Sequence, residues 1–276
     1  MPNSEIVVQL EPPLVPAAMR LNNAAGWNQT ARDWERVISI EPEGCFGLLV
    51  DGLLVSTATT VCYGSELAWI GMVLTDSACR GRGYARRLME RSMDFARRRG
   101  VAWIKLDATD MGRPLYLKLG FVDEAPAERW VGQAPPDAAP VELPAYQPDA
   151  ALDREAFGAD RSALIATLAS LDAVSIPGDG FAMARPGTNA PYFGPCVCRT
   201  AEAARRYLLW FLGRHAGKTV VWDILPENRE ALRLAREFGF ERRRELVRMA
   251  CPGTNSPRPF VRNDSYVFAI AAFEYG

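Results

Sequence analysis

An anion could bind at the stretch Arg80-Gly81-Arg82-Gly83-Tyr84-Ala85, which combines two arginines with two glycines. Glycine has no Cβ, so backbone amides at these positions can approach a ligand closely. If a helix begins directly after Gly83, its first turn adds unpaired N–H groups and the positive end of the helix dipole. Together these groups could bind a pyrophosphate. Taken alone, the stretch could also be a glycine turn that only joins a strand to a helix.

The elements around this loop are those that such a site needs. The apolar run Leu67–Leu74 predicts a buried strand before it, and apolar residues at helical spacing from Ala85 to Ala96 predict a helix after it. The helix should end at Arg97-Arg98-Arg99-Gly100, since cations favour the negative helix pole and glycine is a common cap. A second strand is predicted over Val101–Leu106, and the segment Arg113-Pro114-Leu115-Tyr116-Leu117-Lys118-Leu119-Gly120-Phe121 follows it.

This order of loop, strand and Leu-Tyr-x-Lys-Leu-Gly-Phe segment resembles the GNAT superfamily of N-acyltransferases. The resemblance covers roughly residues 36 to 125 and implies an α/β fold built on a mixed (α+β) sheet. It implies that the loop Arg80–Ala85 binds the pyrophosphate of acetyl-CoA, the acyl-CoA co-substrate. It also implies that the backbone of Val73, Leu74 and Thr75 holds the pantetheine arm, and that Tyr116 is the general acid for the CoA thiolate.

Acyl transfer to an amine also needs a base, because an alkylamine with a pKa of about 10.4 is mostly protonated at neutral pH. Glu66, Asp107 and Asp110 are candidates that could act through water. Each could equally be a cap or turn residue, since acidic residues are common at strand ends. Tyr116 could likewise be a packing tyrosine beside Leu115. The sequence therefore leaves the base undecided.

An acceptor pocket is expected near the first helices and the second half of the chain. Aromatic residues with a few polar groups suit a small-molecule cleft, especially between domains, but they suit a plain core equally well. The candidate substrate residues of this kind are Trp27, Asn28, Trp34 and Arg161, with Tyr192 and Phe193 as further possibilities. The sequence does not identify the amine.

The second half repeats the first in outline. A strand is predicted over Lys218–Ile224, and the helix after it again ends in Gly-Phe. Ala235 stands where Tyr116 does, since each lies five residues before its phenylalanine. The turn Arg199–Ala204 has no glycine, and its glutamate would repel a pyrophosphate. The second copy is thus predicted to be degenerate in its CoA-binding loop. The alternative to an internal repeat is that two unrelated helices both happen to end in Gly-Phe.

Residues 133–151 hold five prolines and predict an extended linker. It would join a catalytic, acyl-CoA-binding GNAT domain at residues 1–132 to a GNAT-like domain at 152–276, which could serve the acceptor site or be structural. The arrangement resembles the bacterial two-domain GNAT proteins related to holothin acyltransferase. This resemblance rests on Gly26-Trp27-Asn28-Gln29-Thr30, on Asp107-Ala108-Thr109 with Gly112–Tyr116, and on Phe157-Gly158-Ala159-Asp160-Arg161.

Composition excludes several function classes. The net charge of −1 gives no global basic field for nucleic acid, and Arg242-Arg243-Arg244 is predicted to be a solvated face. We expect a cytoplasmic protein with no membrane partner, because we find neither a leader nor a membrane-length apolar run. The six cysteines are predicted to be free, buried thiols, and Cys196-x-Cys198 lacks the second ligand pair that a zinc site needs. His215, the only histidine, is predicted to be structural.

These observations predict an acetyl-CoA-dependent N-acetyltransferase that transfers its acyl group directly to a primary amine, without a metal. The amine would belong to a small molecule, while the oligomeric state is left open. A non-catalytic acyl-CoA-binding regulatory module would keep the same loop but tolerate loss of Tyr116. An interaction protein, in which both copies are structural, would need neither the glycine loop nor Tyr116.

Overall fold

A computed structural model of the chain describes residues 4–254, 257 and 259–276. The α-helices of this part are α1 (Val15–Ala24), α2 (Ala31–Ile40), α3 (Tyr84–Arg98), α4 (Arg113–Lys118), α5 (Ala150–Phe157), α6 (Ser162–Ala169), α7 (Ala201–Arg214) and α8 (Arg229–Glu237). The strands are β1 (Glu5–Gln9), β2 (Cys45–Val50), β3 (Leu53–Tyr63), β4 (Leu67–Thr75), β5 (Trp103–Ala108), β6 (Val122–Gln133), β7 (Asp172–Ile176), β8 (Gly180–Arg185), β9 (Tyr192–Cys198), β10 (Thr219–Ile224), β11 (Glu241–Pro252) and β12 (Val267–Ala269).

All twelve strands belong to one sheet, with the order β1-β2-β3-β4-β5-β11-β6-β10-β9-β8-β7 and with β12 paired to β9. The sheet is mixed, because β4 pairs with β5 and β9 with β10 in parallel, while the other neighbours are antiparallel. Each parallel pair is connected through a crossover helix, α3 in the first half and α7 in the second. The predicted α/β fold with a mixed sheet and two similar halves is confirmed.

The two halves exchange strands at the centre of the sheet. β6 precedes the predicted linker in the chain, yet it lies between β11 and β10 of the second half. β11 in turn lies between β5 and β6, so it takes the place beside β5. Residues 134–149, which cover most of the predicted linker, hold no helix or strand beyond one isolated bridge from Ala145 to Val174. The halves are therefore joined through a continuous sheet as well as through this segment.

Side-chain alternation along β4 separates two cores in the first half. Ala68 and Ile70 pack in the core beneath α3 and α4, whereas Leu67 and Trp69 pack in the core that includes α1 and α2. Alternation follows from the two-residue period of a strand, and β5 alternates in the same way. We call the two sides of the sheet the α3 face and the α1–α2 face.

A pair of buried cross-strand ion pairs marks the internal repeat. On β5, both carboxylate oxygens of Asp107 accept hydrogen bonds at 2.9 Å from the Nε and Nη2 of Arg248 on β11. On β10, Asp223 accepts at 2.8 and 2.7 Å from the same two atoms of Arg129 on β6. The two aspartates hold the same position in strands of equal length. The repeat thus extends to the contacts that join the halves.

All six cysteines are free, as predicted, but the prediction that all are buried is wrong for Cys62 and Cys79, which are only partly buried. Burial raises the pKa of Cys45, Cys62 and Cys251 to about 12, so these thiols stay protonated at neutral pH. Cys196 and Cys198 lie buried on β9, and no cluster able to hold a metal occurs among the residues that the structure describes. Over the same residues, no helix is both long and apolar enough to cross a membrane.

Candidate active site

A cavity of about 600 Å³ opens where β4 and β5 diverge. Their parallel pairing ends at Trp69 and Lys105, although β4 continues to Thr75 and β5 to Ala108. The gap lets the cavity run from the α3 face through the sheet to the α1–α2 face. Its wall includes the end of β4, the loop before α3, the end of β5 and residues of α4.

The end of β4 is irregular at the cavity. Its register against β3 shifts, with Thr57 opposite Leu74 but Thr59 opposite Gly71. Met72 has a φ of +48°, which a residue other than glycine adopts only at a cost of about 1–3 kcal/mol and which is typical of functional sites. The hydroxyl of Thr57 donates to the Met72 carbonyl at 2.8 Å and stabilises this conformation. Val73, Leu74 and Thr75, predicted to hold a pantetheine arm, all line the cavity.

The loop before α3 has the backbone that the sequence predicts. Gly81 and Gly83 have φ values of +77° and +82°, and Gly83 directly precedes the first residue of α3. Arg80, both glycines, Tyr84 and Ala85 line the cavity, whereas Arg82 does not. The Tyr84 hydroxyl donates to Glu5 at 2.7 Å, so its ring is engaged with β1. The free N-terminus of the 15-residue helix α3 therefore faces the cavity.

Replacing Gly83 by valine should lower the affinity for acetyl-CoA by about 10- to 100-fold, because a β-branched residue at this φ costs about 1–3 kcal/mol and would reshape the loop. Calorimetric titration with acetyl-CoA measures the change. Gly100→Val is the matched control, since Gly100 has a φ of +71° near the other end of α3, with open space around its Cβ position as at Gly83. Equal loss of affinity in both variants, or unchanged affinity in Gly83→Val, would contradict a role of the loop in binding.

Tyr116 lies on α4 and is only 7% exposed, yet it lines the cavity. Its hydroxyl is close to Gly112, where an added Cβ would come within 3.1 Å of it. Within the described part of the chain this hydroxyl has no hydrogen-bond partner, so it is available to a ligand. Burial raises the pKa of Tyr116 well above its usual value, which keeps the phenol neutral and able to donate.

None of the three candidate bases, among which the sequence does not decide, offers a free carboxylate to the cavity. Glu66 precedes β4, at the far end of the strand from the cavity, and pairs with Arg154 at 2.8 Å. Asp110 is exposed and does not line the cavity. Asp107 does line it, but Arg248 binds both of its oxygens. Glu66 and Asp107 are thus held in ion pairs, and Asp110 lies on the surface outside the cavity wall.

Of the predicted acceptor residues, only Trp27 lies in the cavity wall. Asn28 is turned to the second half, where its Oδ1 accepts from the N–H groups of Asn189 and Ala190 at 2.9 and 3.0 Å. Trp34 is fully buried in the core that includes α1 and α2. Each of the latter two is thus explained by packing or by contact between the halves.

The remaining candidates are also elsewhere. Arg161 is buried against Asp153, with three hydrogen bonds of 2.8–3.2 Å, and stacks over the ring of Phe157. Tyr192 and Phe193 lie buried on β9, outside the wall of the cavity. His215 directly follows the last residue of α7, and its ring packs against Phe211. This position agrees with the structural role predicted for it.

The second half supplies four wall residues that the sequence did not indicate. Arg244 and Leu246 come from β11, and Phe273 and Glu274 come from the segment after β12. No motif surrounds them, and Arg244 belongs to the arginine run predicted to be a solvated face. That prediction holds for exposed Arg242 and Arg243 but is wrong for Arg244, which is half-buried in the cavity wall. The strand exchange brings Arg244 and Leu246 to the first half, and packing of the segment after β12 against β4 brings Phe273 and Glu274 there.

The equivalent gap of the second half is occupied by its own chain. β12 pairs with β9, and the indole of Trp222 on β10 donates to the Phe268 carbonyl at 2.8 Å. At the start of α7, the Thr200 hydroxyl accepts from the Ala203 N–H at 3.2 Å, so the helix end is capped from within. Ala235, at the position of Tyr116, is fully buried and lacks a hydroxyl.

Comparisons with known proteins agree with this architecture. The acetyltransferase (GNAT) family profile matches residues 16–121, and a second acetyltransferase (GNAT) domain profile matches residues 150–263. A curated relative is the holothin acyltransferase of Pseudoalteromonas sp. (strain SANK 73390), 31% identical over 109 residues. The match covers 40% of this chain and only 36% of that relative.

Two solved structures share the fold. A putative acetyltransferase from Pyrococcus horikoshii superposes with a TM-score of 0.81 at 21% identity, over 99% of this chain and 96% of that one. A tandem GNAT protein from the clavulanic acid biosynthesis pathway superposes with a TM-score of 0.62 at 15% identity, over 92% of this chain and 100% of that one. With both halves matched by GNAT profiles, this chain belongs to the GNAT superfamily and carries two GNAT domains in tandem.

Proposed function

We propose that this protein is an acetyl-CoA-dependent N-acetyltransferase that transfers the acetyl group directly to a primary amine of a small molecule. The observation that carries the proposal is the cavity at the divergence of β4 and β5, which joins the loop before α3 to Tyr116. The curated relative is itself named as an acyltransferase that acts on holothin. The acceptor of the present chain is a separate question, because the match covers about a third of that relative.

Each part of the cavity has a role in this reaction. The amides of the loop and of the first turn of α3 would bind the pyrophosphate of acetyl-CoA. The backbone of residues 73–75 would hold the pantetheine arm and stabilise negative charge on the thioester oxygen. The amine nitrogen attacks the carbonyl carbon, the C–S bond breaks, and Tyr116 donates its proton or a hydrogen bond to the departing thiolate. No covalent acyl-enzyme is required.

Acetyl-CoA should bind with a stoichiometry of one per chain. The gap between β9 and β10, which is the second possible site, is filled by β12, and the start of α7 is capped by Thr200. Calorimetric titration gives the stoichiometry, and a thiol-release assay over a panel of primary amines tests the reaction. Two equivalent sites would contradict the single site. Binding without CoA release for any amine would indicate a regulatory module instead of an enzyme.

A further inference from the structure

Two charged side chains of the second half lie on the α1–α2 face of the cavity, opposite the loop before α3. On β11, Val247 and Met249 pack in the core beneath α3, so the alternate residues face the other way. Arg248 does so, with its guanidinium over the ring of Trp69 at 4.5 Å. Arg244 is four residues before Arg248 on β11, so its side chain lies on the same face of the sheet, beside the end of β5.

Glu274 approaches the cavity from the opposite side of the gap, along β4. Its backbone runs so close to Gly71 that a Cβ on that glycine would meet the Glu274 carbonyl oxygen at 2.7 Å. The indole of Trp69 donates to the neighbouring Phe273 carbonyl at 2.9 Å and fixes the segment there. Arg244 and Glu274 thus stand on the two sides of the gap between β5 and β4.

The guanidinium of Arg244 forms no ion pair or hydrogen bond with the residues that the structure describes, whereas the guanidinium of Arg248, four residues along the same face, is bound to Asp107. The nearby cation Arg129 is already paired with Asp223. Burial and Arg129 lower the pKa of Arg244, whereas the carboxylates of Asp223 and Asp110 act to raise it, and a guanidinium has so high a pKa that it stays charged. A half-buried, unpaired cation of this kind favours an anionic ligand.

The carboxylate of Glu274 is only partly satisfied. Its Oε2 accepts from the amide of Gln29 at 2.8 Å, but its Oε1 has no hydrogen-bond partner in the described residues. Oε1 forms only a long ion pair, with the Nη2 of Arg185 at 3.7 Å. The side chain is 2% exposed, so the free oxygen is not compensated by bulk water. Because Oε1 is itself buried, the side chains around it must move before an ammonium group in the cavity can supply the missing donor.

We propose that the acceptor is a small amino acid-like molecule, whose carboxylate binds Arg244 and whose ammonium group gives its proton to Glu274. The planar guanidinium binds a carboxylate through two parallel hydrogen bonds, which selects this anion. The inference rests on the proposed acetyl transfer. It makes the second half part of the acceptor site.

The proton balance of the reaction follows. One ammonium proton passes to Glu274, and the nitrogen lone pair then forms the C–N bond as the C–S bond breaks. The thiolate takes a proton from Tyr116, which recovers one from the acylated nitrogen through water. The products are the N-acetylated acid and CoA thiol, and Glu274 releases its proton to solvent. No oxidant or further reactant is needed.

The carboxylate is tested with α-, β- and γ-amino acids, each compared with its own carboxamide. We expect kcat/KM to favour the best amino acid over its carboxamide by about 10- to 100-fold, the usual worth of charged hydrogen bonds. Arg244→Gln should remove this preference and leave acetyl-CoA affinity unchanged. Arg243→Gln is the control, because Arg243 is exposed and pairs only with Glu241 among the described residues. Equal use of the carboxamides, or weaker acetyl-CoA binding in Arg244→Gln, would overturn the proposal.

The base is tested with Glu274→Gln, which keeps the size of the side chain. Arg185 retains the Ala271 carbonyl at 2.8 Å and Asp33, so we expect this variant to fold. Its turnover should fall by about 10²- to 10⁴-fold. With amines that are already neutral at pH 7, turnover of this variant should fall less than with protonated amines. A merely structural role of Glu274 would not produce this difference. Equal losses for all amines, or unchanged turnover, would refute Glu274 as the base.

Calorimetry of the same panel on the CoA-saturated protein separates this inference from the proposed function. If acetyl-CoA binds but no amine releases CoA, the transferase function fails. Even then, amino acids should bind more tightly than carboxamides and lose that advantage in Arg244→Gln. If neither compound class binds to the CoA-saturated protein, the amino acid site is refuted whatever the outcome of the turnover assay.

Discussion

Replacing Tyr116 by phenylalanine should lower turnover by about 10²- to 10⁴-fold, the usual contribution of general acid catalysis, and leave acetyl-CoA affinity nearly unchanged. Phenylalanine keeps the ring and its packing in the core beneath α3, which includes Phe121. It removes only a hydroxyl that is neutral, lines the cavity and has no partner in the described residues. Thiol release at saturating acetyl-CoA measures the turnover.

Tyr84→Phe is the matched control for this change. Tyr84 also lines the cavity, but its hydroxyl donates to Glu5. We expect Tyr84→Phe to retain turnover, so an equal loss in both variants would point to packing instead of proton donation. Wild-type turnover in Tyr116→Phe would reject Tyr116 as the acid. A burst of CoA release before amine is added, abolished by Cys79→Ala, would show an acyl-enzyme at the half-buried cysteine of this wall.

The site of the first half could be predicted because its signals are local. The strand, the two glycines, the helix and the tyrosine lie between residues 67 and 121, and each is encoded by short-range pattern. The positive φ of Gly81 and Gly83 is a backbone property that glycine spacing reveals directly. Boundaries were shifted slightly, as for β5, predicted over Val101–Leu106 and observed over Trp103–Ala108.

The acceptor side could not be predicted because it depends on long-range pairing. Asp107 looked like a possible base, and only its partner, 141 residues away on β11, makes it part of an ion pair. Arg244 reaches the cavity because β11 inserts beside β5, and Glu274 reaches it because the segment after β12 runs along β4 at Gly71. β6 and β11 are both twelve residues long and have similar burial patterns. Their local sequence therefore does not show which of them pairs with β5.

The prediction that the second half lacks a CoA-binding loop rests on the sequence, and the structure adds a separate obstacle to binding there. In the sequence, the local signal is that the turn Arg199–Ala204 has no glycine. The structure adds that β12 fills the gap between β9 and β10, through pairs such as Val267 with Val197. A three-residue strand of this kind has too little sequence pattern to be recognised. Restoring glycines to the loop would therefore not by itself restore a binding site.

Breaking either of the two buried ion pairs that join the halves, Asp107–Arg248 or Asp223–Arg129, should cause a large loss of stability. Asp107→Asn leaves Arg248 buried without its counter-charge, and Asp223→Asn does the same to Arg129. Removing one partner of a buried pair costs about 3–5 kcal/mol. We expect each variant to lose this much free energy of unfolding, as measured by chemical denaturation. The double variant Asp107→Asn with Arg248→Met should recover most of it, because the unpaired charge is gone.

The same two variants decide between the structural and catalytic interpretations of Asp107. Asp107 lines the cavity, whereas Asp223 does not, yet both carboxylates are held by an arginine in the same geometry. If both pairs serve only to join the halves, the turnover number of the folded protein should change by equal factors in the two variants. If turnover instead fell by about 10²-fold or more in Asp107→Asn alone, Asp107 would be marked as a base. Equal factors would leave Glu274, whose Oε1 accepts no hydrogen bond from the described residues, as the remaining candidate base among the carboxylates of the wall.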